Sequence, residues 1–169
     1  FPVFLVSAEQ NPEYDWIIFT DNEYSDRIPQ NVRIINTTFD WIQKLVQSKF
    51  QFEIALNTPY KLCDYKCAYG YIFEEYITEY DHWGYCDLDI ILGDINKFIT
   101  DEMLQQYDKI GHLGHFSLYK NVKSVTMMFM MEDFYTEVFS QDRIFVFDEW
   151  NEGSINKILL ENNYLLCYL

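Results

Sequence analysis

The chain has 169 residues, a length suited to one domain that buries roughly two thirds of its unfolded surface around one core. With 12 Lys and Arg against 27 Asp and Glu, its formal charge of -15 repels phosphate backbones and anionic membrane surfaces, which argues against nucleic acid as a partner. It contains no run of about 18 apolar residues, so no segment reads as a membrane span.

Phe1 to Ala8 reads either as a strand or as the end of a helix packed by Phe1, Phe4 and Leu5, and periodicity does not separate the two in so short a run. After a turn at Asn11-Pro12-Glu13, Asp15 to Thr20 (D-W-I-I-F-T) is a continuous apolar run of the kind a buried parallel strand shows. It ends in Thr20, Asp21 and Asn22, a polar trio where open α/β sheets place ligands, although an ordinary strand-to-loop turn has the same composition. Asn31 to Asn36 reads as a second strand, and Thr38 or Asp40 then caps a helix carrying Trp41, Leu45 and Val46 at helical spacing. Beyond the break at Asn57-Thr58-Pro59, Lys61 to Ile77 is the clearest helix. Its residues Leu62, Tyr65, Tyr69, Ile72, Phe73 and Tyr76 form an apolar stripe.

Thr100 ahead of Asp101 and Glu102 predicts a short helix to about Tyr107. Lys109 to His112 and Phe116 to Lys120 read as short strands joined through Gly114, Val122 to Met131 is ambiguous, and Asp133 to Val138 is helical. Arg143 to Phe147 (R-I-F-V-F) reads as a strand ending in Asp148, Glu149 and Trp150. Ser154 caps a last helix, and Tyr164 to Leu169 is a final strand. This alternation predicts an α/β class and a single domain over residues 1–169 with a mainly parallel, twisted sheet. The start at Phe1 and the stop inside Y-L-L-C-Y-L lead us to expect a fragment or a processed chain.

Aromatic content is high, with 14 Tyr, 14 Phe and 4 Trp, which predicts an aromatic core and also suits stacking on sugars or bases. Of Cys63, Cys67, Cys86 and Cys167 only the first two are close in sequence, and zinc would want a second such pair, so reduced thiols in a cytosolic protein are the better reading. The strongest chemical signal is W-G-Y-C-D-L-D-I-I-L-G-D, Trp83 to Asp94. If strand geometry continues through Leu88, Asp87 and Asp89 point to one face and offer hard oxygen donors to a single divalent cation. A D-x-D in which one aspartate caps a turn and the other is solvated has the same spacing.

The block Y-K-L-C-D-Y-K-C-A-Y-G-Y-I-F-E-E-Y, followed by W-G-Y-C-D-L-D-I-I-L-G-D-I-N-K-F-I, resembles a family of uncharacterised bacterial proteins related to the GT-A glycosyltransferases, among them capsular and toxin-like sugar transferases. The likeness extends through D-W-I-I-F-T-D-N, G-H-F-S-L-Y-K-N and F-D-E-W-N-E-G, nearly the whole chain. It implies a GT-A-like, Rossmann-like three-layer sandwich lacking the usual first strand and its glycine-containing loop, which in such proteins help to hold the nucleotide. The resemblance further implies that Asp87 and Asp89 hold Mn²⁺ or Mg²⁺ against the donor diphosphate and that Asp64 and Lys66 contact the donor sugar or phosphate. Thr20 and Asp21 would lie near the base, Gly114 and His115 on the acceptor side, and Asp148 or Glu149 would be the catalytic base of an inverting reaction.

The expected activity is metal-dependent transfer of a sugar from a nucleotide donor to a saccharide or lipid-linked acceptor in bacterial surface polysaccharide synthesis. The expected location is the cytoplasm, peripheral to the inner membrane face. Solvated helix-face groups at Asp64 and Lys66, turn residues at Asp148 and Glu149, and strand-end surface histidines at His112 and His115 are the structural alternatives. A non-catalytic carbohydrate-binding or scaffolding domain is the main functional rival. Nucleotidyl transfer would need a basic glycine-rich loop, which the sequence does not display. Glycoside hydrolysis needs carboxylates ~5–9 Å apart flanking one bond, a poor match for neighbours such as Asp87 and Asp89.

Overall fold

The computed structural model describes residues 1–25, 27–149 and 153–169. Trp150, expected at the end of a strand, lies outside the described residues, as do positions 151 and 152 of the F-D-E-W-N-E-G block. Helix α1 (Pro2–Glu9) precedes strand β1 (Trp16–Thr20), which pairs in parallel with β2 (Val32–Asn36). Phe4, Leu5 and Ala8 of α1 pack on Ile18 and Val32 of this small sheet. The first segment is thus helical, with Pro2 accommodated in the first turn, where its missing N–H costs no hydrogen bond. Helix α2 (Phe39–Lys49) is capped by Thr38, whose side chain accepts from the amide of Trp41.

The stretch predicted as one helix over 61–77 is broken. A 3₁₀ turn (Pro59–Lys61) leads into α3 (Leu62–Tyr65), a second 3₁₀ turn (Lys66–Ala68), α4 (Tyr69–Ile72) and α5 (Glu74–Ile77). A second sheet follows, in the order β3 (His82–Cys86), β5 (Phe116–Lys120), β4 (Lys109–Ile110), β6 (Leu166–Cys167). Its β3–β5 and β4–β5 pairs are antiparallel and only β4–β6 is parallel, so this sheet is mixed where a mainly parallel one was expected. The short β4–β5 connection explains the antiparallel pairing. It starts at Gly111, whose φ of 88° suits glycine and whose Cβ would lie 2.5 Å from the carbonyl oxygen of Phe116. Helices α6 (Asp101–Gln106), α7 (Lys123–Thr126), α8 (Phe134–Ser140) and α9 (Ile155–Glu161) complete the fold.

The main core lies where α2 to α4, α8 and α9 meet β3 and β5, around Tyr65, Ile72, Trp83, Tyr119, Phe129, Phe139 and Phe147. Among the described residues no helix is long and apolar enough to cross a membrane. The class is mixed α/β, as the alternation of elements predicted.

Arg143 to Phe147 is not a strand in the structure, although two of its backbone amides are paired. Those of Phe145 and Phe147 donate to the carboxylate of Asp64 at 3.0 and 3.1 Å, so a side chain takes the place a neighbouring strand would have held. Lys61 Nζ holds the same segment by donating to the carbonyl of Arg143 at 2.6 Å.

The two sheets do not join. A cavity of about 1040 Å³ lies between them, lined by Trp16 to Phe19 of β1 and by His82 to Cys86 of β3, successive residues that together present strand edges rather than faces. The amide of Trp16 donates to Asn31, so by alternation those of Ile17 and Phe19 turn away from β2. Asp87 donates to His115, so Gly84 and Cys86 turn their amides away from β5. A five-residue strand with ~3.3 Å rise, ~4.8 Å lateral spacing and ~10 Å thickness fills about 800 Å³, comparable to this slot. Hydrogen exchange should therefore be fast at the amides of Ile17, Phe19, Gly84 and Cys86 and slow at those of Ile18 and Tyr85. Equal protection of both sets would mean that the edges are closed.

Candidate active-site cleft

A second cavity of about 1030 Å³ opens where the carboxyl ends of β1 and β3 meet the loops after β4 and α8. Thr20, Lys66, Asp87, Asp89, Gly114, His115, Asp148 and Glu149 all line it, so residues as far apart in sequence as Thr20 and Glu149 converge on one space. Two of the predicted residues do not. Asp21 is exposed and outside the wall, while its neighbours Thr20 and Asn22 are in it, tied by a bond from the Asn22 amide to Thr20 Oγ1 at 3.1 Å.

Asp64 is the second exception, and it corrects the expectation that it contacts the donor. It is fully buried, paired with the equally buried Lys61 at 2.8 Å, and its carboxylate is occupied by the amides of Phe145 and Phe147. The reason is geometric: residues two apart on a helical turn point about 200° apart, so Asp64 and Lys66 cannot share a face. Lys66 takes the cleft and Asp64 takes the core.

The D-L-D segment also departs from its expected geometry. Strand β3 ends at Cys86 and the chain turns at Leu88 and Asp89, so the two carboxylates reach the cleft from a turn rather than from one strand face. The Asp87 amide donates to the carbonyl of His115 at 2.9 Å, fixing where the turn begins, and the exposed His115 side chain lines the cleft. Asp87 Oδ1 accepts from Lys66 Nζ at 2.8 Å, while Asp89 is exposed and has no ion-pair partner among the described residues.

Lys66 is the hub of the cleft. Its ammonium donates to Asp87 and, at 2.7 Å, to the carbonyl of Gly114, and lies 3.7 Å from Asp148 Oδ2 and 5.4 Å from the centre of the Tyr85 ring. Gly114 is squeezed between acids: its amide donates to Glu149 Oε1 at 3.0 Å, and a Cβ there would lie 2.4 Å from Asp148 Oδ2. Any larger residue would displace the Asp148 carboxylate. Burial pushes the Asp148 carboxyl above the ordinary range, and the Lys66 ammonium beside it opposes that rise.

Several wall residues escaped the sequence reading. Tyr60 stands at the lip, 75% exposed, with an aromatic face open to the cleft, and the break at Pro59 immediately before it was the available signal. Val146 also lines the wall with φ 54°, a conformation that costs a β-branched residue about 1–3 kcal/mol and that the bonds on either side of it, from Phe145 and Phe147 to Asp64, maintain. Cys63 lies in the wall too, but burial raises its thiol to about 11, so it stays protonated and unreactive near neutral pH.

Behind the wall sits Lys109, fully buried, donating to Asn156 Oδ1. The Asn156 amide in turn donates to the carbonyls of His112 at 2.7 Å and Glu149 at 3.0 Å, so this pair buttresses both loops of the cleft. Among the described residues no group of three or more His, Cys, Asp or Glu is arranged to hold a metal ion. The carboxylates facing the cleft are those of Asp87, Asp89, Asp148 and Glu149, with the Lys66 ammonium 2.8 Å from Asp87 and 3.7 Å from Asp148.

These features define a mixed α/β protein with an acidic cleft at the carboxyl ends of strands from two sheets. Over residues 1–168 the chain matches the model of a family of unknown function, DUF6625, and belongs to that family. No curated protein matches it, and no solved structure does.

Two expectations follow. Asp64→Asn leaves Lys61 as an uncompensated buried charge and should lower unfolding stability by about 3–5 kcal/mol in a urea titration, while Asp87→Asn, at a partly exposed pair, costs about 1 kcal/mol or less. Equal losses would deny Asp64 its structural role. Burial lowers the Lys109 ammonium to about 7, so between there and the ordinary lysine range folding releases a proton and this group's contribution to stability rises with pH. Wild type should therefore gain stability relative to Lys109→Met between pH 6 and pH 9, and a constant difference across that range would contradict the assignment.

Proposed function

We propose that the chain is a glycosyltransferase domain of GT-A-like type, moving a sugar from a nucleoside diphosphate donor to a saccharide or lipid-linked acceptor. The observation that carries this reading is the convergence, on one cleft, of the D-L-D pair with Lys66 and the buried Asp148. Transfer leaves new negative charge on the departing diphosphate, and the chain, with a net charge of -15, must supply a cation to receive it.

Asp87 and Asp89 fit Mn²⁺ or Mg²⁺ as a partial donor set, since such ions accept one or two carboxylates and complete their shell with phosphate oxygens and water. When bound, the ion supplies Lewis-acid stabilisation of the leaving group. Lys66 contributes fixed positive charge at the floor. Asp148, whose carboxyl is raised by burial, is suited to accept the acceptor hydroxyl's proton if the reaction inverts. Glu149 is less available, because Oε1 already accepts from the Gly114 amide. Thr20 and Asn22 offer polar groups for the base or ribose, and Tyr60 offers a stacking face. The reading places the protein in the cytoplasm, in bacterial surface polysaccharide synthesis.

One observation favours a second reading, a carbohydrate-binding module without catalysis: Asp87 is already neutralised by Lys66. A thermal-shift panel of nucleotide sugars with and without Mn²⁺, repeated on Asp89→Ala, separates the two. A bound donor at about 100 times its Kd adds roughly 2.7 kcal/mol, or about 5–10 °C in a chain of this size. A shift that needs both Mn²⁺ and Asp89 supports the transferase, a shift from sugar alone supports the module, and no shift with any donor would sink both.

A further inference from the structure

Lys66 occupies the position from which a divalent ion would otherwise see both Asp87 and Asp148. Its three N–H donors meet the Asp87 carboxylate at 2.8 Å and the Gly114 carbonyl at 2.7 Å, with Asp148 at 3.7 Å. Among the described residues it is the only lysine or arginine in the cleft wall, facing Asp87, Asp89, Asp148 and Glu149. The Lys66 side chain is 15% exposed and that of Asp87 is 41% exposed, so the ammonium holds the carboxylate from the inside while the outer side stays open. A second cation on Asp87 would then be repelled by the ammonium across a few ångströms. A phosphate oxygen arriving in the cleft offers that ammonium a charge-assisted partner at least as good as the carboxylate.

We propose that Lys66 keeps Asp87 closed to divalent cations until a phosphate group enters, whereupon the ammonium transfers from carboxylate to phosphate and the freed carboxylate takes the metal. Metal and nucleoside diphosphate thus bind with positive coupling, each raising the other's affinity by the same factor, as linkage requires. The inference rests on the transferase reading and adds an order of assembly to it. A metal loaded without a donor would leave the cleft ready for water, and Lys66 disfavours that state.

Mn²⁺ binding is measured by electron paramagnetic resonance on wild type, Lys66→Met, Lys66→Arg, Lys66→Met/Asp87→Asn and, as a surface control, Lys97→Met. Without nucleotide, Lys66→Met should bind Mn²⁺ about 5–150 times more tightly than wild type, the usual size of such coupling. The gain should vanish in the double variant, and Lys66→Arg and Lys97→Met should behave as wild type. Adding UDP, GDP or ADP should raise Mn²⁺ affinity more in wild type than in Lys66→Met. Equal Mn²⁺ affinity of wild type and Lys66→Met overturns the gating role and leaves the metal-dependent reading standing. A gain that survives Asp87→Asn, or that Lys97→Met shares, reduces the effect to general charge and also overturns it. No Mn²⁺ binding to any form, with or without nucleotide, overturns the metal-dependent reading together with the proposal.

Discussion

A lysine and an aspartate three residues apart, both sealed from water, hold up the wall on which the cleft depends. Isolated burial of either charge would be prohibitive, yet here every valence is used. Lys61 Nζ reaches Asp64, the carbonyl of Val138 and the carbonyl of Arg143, and the Asp64 carboxylate also receives the amides of Phe145 and Phe147. The pair thereby ties α3 to the end of α8 and to the segment after it. Asp148 and Glu149 follow that segment directly, so their placement against Gly114 is inherited from it. The left-handed backbone at Val146 is maintained by the same carboxylate.

The cleft repeats this arrangement in the open. Lys66 and Asp87 form a second pair, also supported by a backbone carbonyl, but their side chains reach solvent. The first pair has no free valence and serves the fold, whereas the second can exchange partners and serves the ligand. Between them, Lys109 and Asn156 brace the loops from behind without entering the cavity. These three lysines thus serve different purposes: Lys61 and Lys109 are both sealed from water, one on a carboxylate and the other on an amide oxygen, whereas Lys66 reaches solvent.

What the sequence made legible was local. Strands β1 and β2, the Thr38 and Thr100 caps and strand β5 rest on hydrophobic runs and capping chemistry within a few residues, and all are present. The Arg143–Phe147 segment misled because its apolar composition reports an extended, buried backbone without telling whether a strand or a carboxylate satisfies it. Residues 61–77 misled because the aromatic stripe at three and four residues survives the 3₁₀ turn at Lys66–Ala68 and the break at Phe73. Acids and glycines at element ends are conspicuous in a sequence, and the cleft gathers eight of the ten candidate residues. Asp64 was misassigned because its distance from Lys66 in sequence hides their opposite directions on the helical turn.

The open slot between β1 and β3 has a consequence for how the chain behaves in company. Two bare rims facing one apolar trough make a template on which any extended polypeptide can zip up, including a segment of another copy. Charge is the counterweight, since molecules carrying -15 repel one another before their rims meet. That protection reaches only as far as the ionic atmosphere allows, about 8 Å at physiological ionic strength and about 3 Å at 1 M. Salt, usually a benign additive, is therefore the condition under which this molecule is most inclined to stick to itself.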